Sequence, residues 1–214
     1  MVKIIHGLII SGLFFVSLAT NSEEFVEKGL TVGIPYNLIS DVNKSNVYIS
    51  DDNITVVAVK GSDLYTNSDG STSTDNAPRL YFEPKSDFTF SAKVRANFTT
   101  AYDGGALFVY ADKGNWGKLL FERFKSGNNG IASTVTKITG DDAYHNLITD
   151  NEIHLKIMRK KDTFTFFYSE DGKDWIYRRS FSFKSPKKIK VGFLAQSPIS
   201  ETHKVVYSDI QFKE

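Results

Sequence analysis

The chain has 214 residues, of which 41% are apolar, 14% aromatic and 24% charged, and this composition excludes a disordered, collagenous or coiled-coil protein. Its 26 basic and 25 acidic residues produce no net field that would attract nucleic acid or an anionic membrane. Because the chain has no cysteine, it has no disulfide, no thiolate metal site and no cysteine nucleophile.

The N-terminus has the pattern of a secretory signal peptide. Lys3 precedes an apolar run that ends at Val16, and Ser17-Leu18-Ala19 places small residues where a signal peptidase cleaves. We therefore expect a signal peptide over residues 1–19, one domain over residues 20–214, and a secreted, periplasmic or extracellular location. An uncleaved signal anchor is the weaker alternative, since a membrane span needs about 20 apolar residues.

Beyond residue 28, apolar and polar residues alternate over short stretches, and turn residues interrupt them about every ten residues. This pattern predicts an all-β protein, an antiparallel β-sandwich with no linker and no internal repeat. The predicted strands are residues 53–60, 88–97, 105–111, 116–124, 131–138, 152–159, 163–169, 175–183, 188–195 and 204–212. Residues 141–148 lack alternation, and we expect a helical turn or an irregular loop there.

The strand at residues 105–111 is predicted to be central, because both of its faces are apolar. Leu107 and Val109 point to one face. Ala106, Phe108 and Tyr110 point to the other.

The strand at residues 116–124 has one face that suits the core and one of mixed chemistry. The core face carries Gly117, Leu119 and Phe121. The mixed face carries Trp116, Lys118, Leu120, Glu122 and Phe124. A ring, an ammonium and a carboxylate on one face suit a sugar, whose C–H groups stack on rings while its hydroxyls bond charged groups. The structural alternative is a covered strand in which Lys118 and Glu122 pair with each other.

The segment from Tyr168 to Trp175 carries the strongest turn signal. Asp171-Gly172 lies between two aromatic strands, and glycine accepts the positive φ that a tight hairpin turn requires. The segment resembles the Asp-box of sialidases, Ser-x-Asp-x-Gly-x-Thr-Trp, but is one residue shorter, and the chain is too short for a sialidase propeller. We therefore predict a structural hairpin.

Several short motifs occur in an order that resembles one family. They are Asp63-Leu64-Tyr65, Ala77-Pro78-Arg79-Leu80, Asp87-Phe88-Thr89-Phe90, Tyr102-Asp103-Gly104-Gly105-Ala106-Leu107, Trp116-Gly117-Lys118-Leu119, Phe121-Glu122, Arg159-Lys160-Lys161-Asp162-Thr163-Phe164, the Asp-Gly hairpin, and Val191-Gly192-Phe193-Leu194-Ala195 before Ser197-Pro198. From about Ile54 to Phe212 the chain thus resembles a family of unknown function in the concanavalin A-like lectin/glucanase superfamily, which includes the fungal regulation-of-enolase protein.

This resemblance implies a jelly roll of two antiparallel sheets, one of them concave, with any ligand on the concave face or its bordering loops. It implies no catalytic residues. Members often carry Tyr-Asp-Gln-Ala-Gly where this chain has Tyr102-Asp103-Gly104-Gly105-Ala106, so the glutamine side chain is missing here.

We expect a carbohydrate to bind on the concave face. The predicted ligand-binding residues are Tyr102, Asp103, Phe108, Tyr110, Trp116, Lys118 and Glu122. Catalysis is less favoured, because the paired acids of superfamily glucanases, Glu-x-Asp-x-x-Glu or Glu-x-Asp-x-Glu, are absent. A glycoside hydrolase or lyase would use Glu122 with Asp103, and we expect Lys118 to keep Glu122 ionised. A protein-interaction or regulatory module is the third alternative.

No cofactor is expected. His145, His154 and His203 lack the spacing of a zinc site. A structural calcium ion is the weaker alternative, with oxygens from residues 67–70 or 51–52, although turn chemistry explains these acids equally well. We expect no nucleic-acid partner, and no membrane partner beyond a signal anchor.

Overall fold

The computed structural model describes residues 32–40, 47–50, 52–183 and 188–214, and the backbone of residues 25–28. The predicted signal peptide and Asp51 lie outside the described residues. Within these ranges, no helix has the length and apolar character that a membrane crossing requires.

The described residues form strands throughout. These are β1 (Phe25–Lys28), β2 (Asn37–Ser40), β3 (Val47–Ser50), β4 (Asn53–Val59), β5 (Leu64–Thr66), β6 (Ser73–Asp75), β7 (Arg79–Phe82), β8 (Phe88–Ala96), β9 (Gly104–Asp112), β10 (Asn115–Arg123), β11 (Asn129–Lys137), β12 (Thr139–Leu147), β13 (Glu152–Lys160), β14 (Thr163–Ser169), β15 (Ile176–Ser182), β16 (Lys190–Gln196) and β17 (Thr202–Lys213).

Two antiparallel sheets form a sandwich with a jelly-roll-like order. The first sheet runs β1-β2-β7-β16-β9-β10-β11-β12, and the second runs β15-β14-β13-β8-β17-β4-β3. The hairpin of β5 and β6 is separate from both. The predicted fold class and all ten predicted strands are confirmed, with small shifts at their ends.

The core lies between the two sheets and is formed by the side chains that point inward at every second position of the strands. Leu107 of β9 and Phe121 of β10 join Phe90 of β8 in one buried apolar cluster. The sheets approach closely at Gly117, where an added Cβ would lie 2.6 Å from the ring of Phe181. The core face predicted for residues 116–124 and the central position predicted for residues 105–111 are therefore confirmed.

A second apolar cluster lies on the outer face of the first sheet. It contains Ala106, Phe108 and Trp116 together with Leu64 of β5. The β5–β6 hairpin therefore covers part of this outer face, and a hydrogen bond of 2.8 Å from the Tyr110 hydroxyl to Asp75 attaches β6 to the sheet.

The prediction for residues 141–148 is wrong, because most of this segment forms the edge strand β12. Thr134 of β11 is opposite Asp142, and Ala132 is opposite Tyr144. Most residues of β12 are exposed on both faces, and a strand without a buried face shows no alternation of apolar residues.

The Asp-Gly hairpin is confirmed. Gly172 has a φ of +72°. One carboxylate oxygen of Asp171 accepts hydrogen bonds from the amides of Lys173 and Asp174 at 2.8 and 2.9 Å. This carboxylate is used within the turn, as expected for a structural hairpin.

The acids of the calcium alternative also take part in turn chemistry. Asp69 accepts a hydrogen bond of 2.8 Å from the amide of Ser71, and Asn67 accepts one of 3.0 Å from Thr72. The described residues contain no group of three or more histidine and carboxylate side chains arranged to hold a metal ion.

Candidate functional site

A cavity of about 300 Å³ opens on the outer face of the first sheet, beside the β5–β6 hairpin. Its floor is built by side chains of β10 and β16, namely Lys118, Leu120, Glu122 and Gln196. Its walls carry Asp63, Tyr65, Tyr102, Asp142 and Tyr144. Alternation brings the three β10 side chains together, because residues two apart in a strand point to the same face.

The amide of Gln196 connects the charged groups of the floor. Its carbonyl oxygen accepts a hydrogen bond of 2.7 Å from the ammonium of Lys118. Its nitrogen donates to the carboxyl of Glu122 at 3.2 Å and to the carbonyl of Tyr102 at 2.9 Å. The Lys118 ammonium also lies 3.3 Å from Asp63. The structural alternative is half right. Trp116, Lys118 and Glu122 are only 1%, 2% and 4% exposed, so the strand is covered as that alternative expects. Within the described residues Lys118 and Glu122 form no ion pair, so their direct pairing is not observed.

Gly104 allows this convergence of side chains. It lies on β9 opposite both Glu122 of β10 and Gln196 of β16. An added Cβ would lie 2.8 Å from Leu120 Cδ1 and 3.3 Å from both the Gln196 and the Glu122 side chains. Gly104 thus leaves room for the polar floor.

Burial favours the protonated form of the Glu122 carboxyl at neutral pH. Burial raises its pKa from 4.5 to about 8, and Asp63 and Asp142 add to this rise, which Lys118 only partly opposes. The expectation that Lys118 keeps Glu122 ionised is therefore wrong, because only 4% of Glu122 is exposed and the ammonium binds Gln196 and Asp63 instead. Within the described residues, Oε1 of Glu122 has no hydrogen-bond partner.

The structure brings three of the predicted site residues, Tyr102, Lys118 and Glu122, to the cavity. Trp116 points to the same face as Lys118, as predicted, but is only 1% exposed and packs in the second apolar cluster with Phe108. Tyr110 packs against this cluster. These three aromatic residues lie outside the cavity wall.

Asp103 is buried in a polar cluster of its own and does not line the cavity. Its Oδ2 accepts hydrogen bonds from Ser200 Oγ at 2.7 Å, from Thr99 Oγ1 at 3.0 Å and from the Thr100 amide at 3.0 Å. His203 Nδ1 lies 3.8 Å away. Burial alone would raise the pKa of Asp103, but the hydrogen bonds and His203 lower it. Asp103 is thus an ionised anchor between two loops.

Sequence reasoning missed several residues of the cavity. Tyr65, Asp142 and Tyr144 come from short or exposed strands that show no clear alternation. Gln196 carried a usable signal, because it continues the face of Leu194 by two residues, and Leu194 belongs to the outer cluster.

Comparison with known proteins gives the family. The family described as "Protein of unknown function (DUF1349)" matches residues 42–214. The chain belongs to this family. This confirms the resemblance derived from the order of the motifs. A comparison with curated proteins found no significant match.

Solved structures share the fold. A functionally unknown protein from Saccharomyces cerevisiae has a TM-score of 0.75 at 21% identity, with 81% of this chain and 94% of that chain covered. A xylan β-1,4-xylosidase from Bacillus halodurans has a TM-score of 0.63 at 13% identity, with 81% of this chain and 35% of that chain covered. The xyloglucan PUL GH43B protein of Bacteroides ovatus has a TM-score of 0.66 at 18% identity, with 86% of this chain and 37% of that chain covered.

The match to the yeast protein covers nearly all of that chain, whereas the matches to the xylosidase and to GH43B cover little more than a third of theirs. At these identities the similarity shows the sandwich fold and nothing finer.

Proposed function

We propose that the protein is a carbohydrate-binding module that holds a sugar in the cavity of the first sheet. The observation that carries this proposal is the combination of three tyrosine rings, Tyr65, Tyr102 and Tyr144, with the polar floor of Lys118, Gln196 and Glu122. The rings offer stacking surfaces to the C–H faces of a sugar. The floor offers donors and acceptors to its hydroxyls.

The geometry of the floor favours binding, because its polar groups are held in place before a ligand arrives. Gln196 bonds Lys118, Glu122 and the Tyr102 carbonyl at once, so a ligand need not order these side chains. A cavity of about 300 Å³ is at the small end of ligand sites and suits one or two sugar rings.

Two further findings support a carbohydrate. The sandwich fold also occurs in part of a xylan β-1,4-xylosidase and in part of a xyloglucan PUL GH43B protein. Export, which the pattern of residues 1–19 predicts, would bring this chain to polysaccharides outside the cell.

The proposal is tested on a glycan array with two matched variants. Tyr144 lies at the cavity on edge strand β12 and is 61% exposed, whereas Tyr177 lies on edge strand β15 of the other sheet and is 55% exposed. We expect Tyr144→Ala to weaken binding of the recognised glycan about tenfold, as loss of one stacking ring does, and Tyr177→Ala to leave it unchanged. Absence of any binding above background, or equal losses in both variants, would contradict the proposal.

One observation favours a second candidate, a glycoside hydrolase. A carboxyl whose pKa is raised, as burial raises that of Glu122 to about 8, is what a general acid requires. Asp103 cannot serve as its partner, since it does not line the cavity, whereas Asp63 and Asp142 do. Release of reducing ends from array-positive glycans, lost in Glu122→Gln, would establish this activity. Binding without release would exclude it.

A further inference from the structure

The charges around the cavity are unequal. Three carboxyl groups line it, those of Asp63, Glu122 and Asp142. Lys118 is the one cation among the described lining residues. Its ammonium is already engaged, at 2.7 Å from Gln196 Oε1 and at 3.3 Å from Asp63 Oδ1. With Glu122 neutral, Asp63 and Asp142 outnumber Lys118, so the described lining residues carry one negative charge in excess.

The electrostatics of the walls agree with this charge count. Burial raises the pKa of Tyr65 and of Tyr144, and neighbouring acids, Asp142 among them, raise both further. A cavity in which the pKa values of Glu122, Tyr65 and Tyr144 are all raised disfavours additional negative charge. A sugar carboxylate would add to the imbalance.

Glu122 is the point at which a cation would be accepted. Its side chain is almost completely buried at the floor of the cavity. One oxygen accepts from Gln196 Nε2, and within the described residues the other has no partner. While Glu122 is protonated, this second oxygen can carry the proton as an O–H donor, and once the proton leaves it becomes an acceptor for a donor on a ligand.

An organic cation fits these groups better than a metal ion does. The described carboxyl groups are not arranged as a metal-binding cluster. The rings of Tyr65, Tyr102 and Tyr144 surround the same space, and aromatic faces attract an ammonium group.

Building on the proposed function, we propose that the cavity selects a sugar that carries a protonated amine, and that this ammonium replaces the proton of Glu122. The N–H of the ligand donates to the free carboxylate oxygen, and the carboxyl proton passes to the solvent. The net charge of the filled cavity then equals that of the empty one, because one positive charge enters and one leaves.

Several groups face Glu122 and set the balance of this exchange. Lys118 lies on the same strand as Glu122, and the amide of Gln196 lies on β16. Asp63 and Tyr65 lie on the hairpin side of the cavity, and Asp142 and Tyr144 lie on β12. The two aspartates favour the entering ammonium, whereas Lys118 opposes it. Because binding expels a proton, affinity for the amine must rise with pH while the amine stays protonated.

The test compares three tetrasaccharides with a similar β-1,4-linked backbone that differ at one substituent. Cellotetraose carries a hydroxyl there, chitotetraose an acetamide, and the chitosan tetrasaccharide an ammonium. Calorimetry on the full chain at about pH 5 and about pH 6, where the amine is protonated, should show the chitosan ligand binding at least about tenfold more tightly than cellotetraose at the higher pH. Its affinity should rise between the two pH values, by at most about tenfold per pH unit, with proton release.

Matched variants assign the effect to the cavity. Glu122→Gln should remove the pH dependence and the proton release, whereas Glu152→Gln on β13 of the other sheet should change neither. Asp142→Asn, at an exposed position on the rim, serves as a second variant and should weaken the chitosan ligand more than cellotetraose.

The outcomes separate this inference from the proposed function. Equal or tighter binding of cellotetraose or chitotetraose, with no proton release, overturns the preference for an amine but leaves a carbohydrate-binding module. Failure of all three ligands also overturns the inference, while the glycan array decides the proposed function independently.

Discussion

Replacing the carboxyl of Glu122 with an amide, in Glu122→Gln, should stabilise the protein, and should do so more strongly as the pH rises. Burial raises the pKa of Glu122 to about 8 from its ordinary 4.5. The folded protein therefore keeps a proton that the unfolded chain releases. The wild-type protein accordingly has its full stability below about pH 4.5 and loses stability as the pH rises towards 8.

The size of the effect follows from the pKa difference. One pKa unit corresponds to about 1.4 kcal/mol. The wild type then loses under about 1 kcal/mol at pH 5, about 3 kcal/mol at pH 7 and about 5 kcal/mol well above pH 8. The introduced amide has no proton to lose, and its oxygen can still accept from Gln196, which bonds the wild-type carboxyl at 3.2 Å.

Urea unfolding at about pH 5, 7 and 8.5 measures this difference directly. The unfolding free energies of wild type and Glu122→Gln should diverge as the pH rises, while Glu152→Gln, at a half-exposed position, should follow the wild type. A difference that does not vary with pH would show that the pKa of Glu122 is the same in the folded and the unfolded chain, and would refute the reasoning.

Three further substitutions test other parts of the structure. Asp103→Asn should destabilise the fold by about 3 kcal/mol in urea unfolding, because it removes a buried charge to which several groups donate hydrogen bonds. Since the fold lowers the pKa of Asp103, the loss of stability should be present at neutral pH and shrink as the pH falls below about 4. A loss that does not vary with pH would contradict this prediction. Gly104→Ala should cost about 1–3 kcal/mol, because its Cβ would lie 2.8 Å from Leu120 Cδ1 and 3.3 Å from both Glu122 Cβ and Gln196 Cγ, so that three floor side chains must shift together. An unchanged melting temperature would contradict the packing described. Trp116→Ala should cost about 3–5 kcal/mol yet, in the folded fraction, spare the affinity for glycans; a selective loss of binding would place the indole at the ligand.

The sequence was sufficient to predict the long central strands. A strand that buries one or both of its faces carries apolar side chains at regular positions, and this pattern can be read from a short stretch of sequence. Leu107 and Phe108 occupy opposite apolar clusters as the pattern of β9 indicates. The same reasoning failed for β12, whose residues are exposed on both faces, and for the strands of three or four residues, which are too short to show a period.

The candidate site depends on contacts between distant segments, and this limited what the sequence could reveal. Alternation correctly placed Trp116 on the face of Lys118, but the hairpin that covers Trp116 is brought there by tertiary packing, with Leu64 in the same cluster. The state of Glu122 likewise depends on its burial and on Gln196, which lies 74 residues further along the chain. No local pattern contains that information.

The central claim is that a sugar occupies the cavity above Gln196. A two-dimensional ¹H–¹⁵N NMR titration with the glycan selected on the array tests this most directly, because the side-chain amide of Gln196 reports from the floor. We predict saturable shifts of that amide and of the backbone amides of Lys118 and Tyr144, with β14 and β15 of the second sheet unaffected. Saturable shifts confined to the second sheet, or a Gln196 amide that does not move at saturation, would contradict the account.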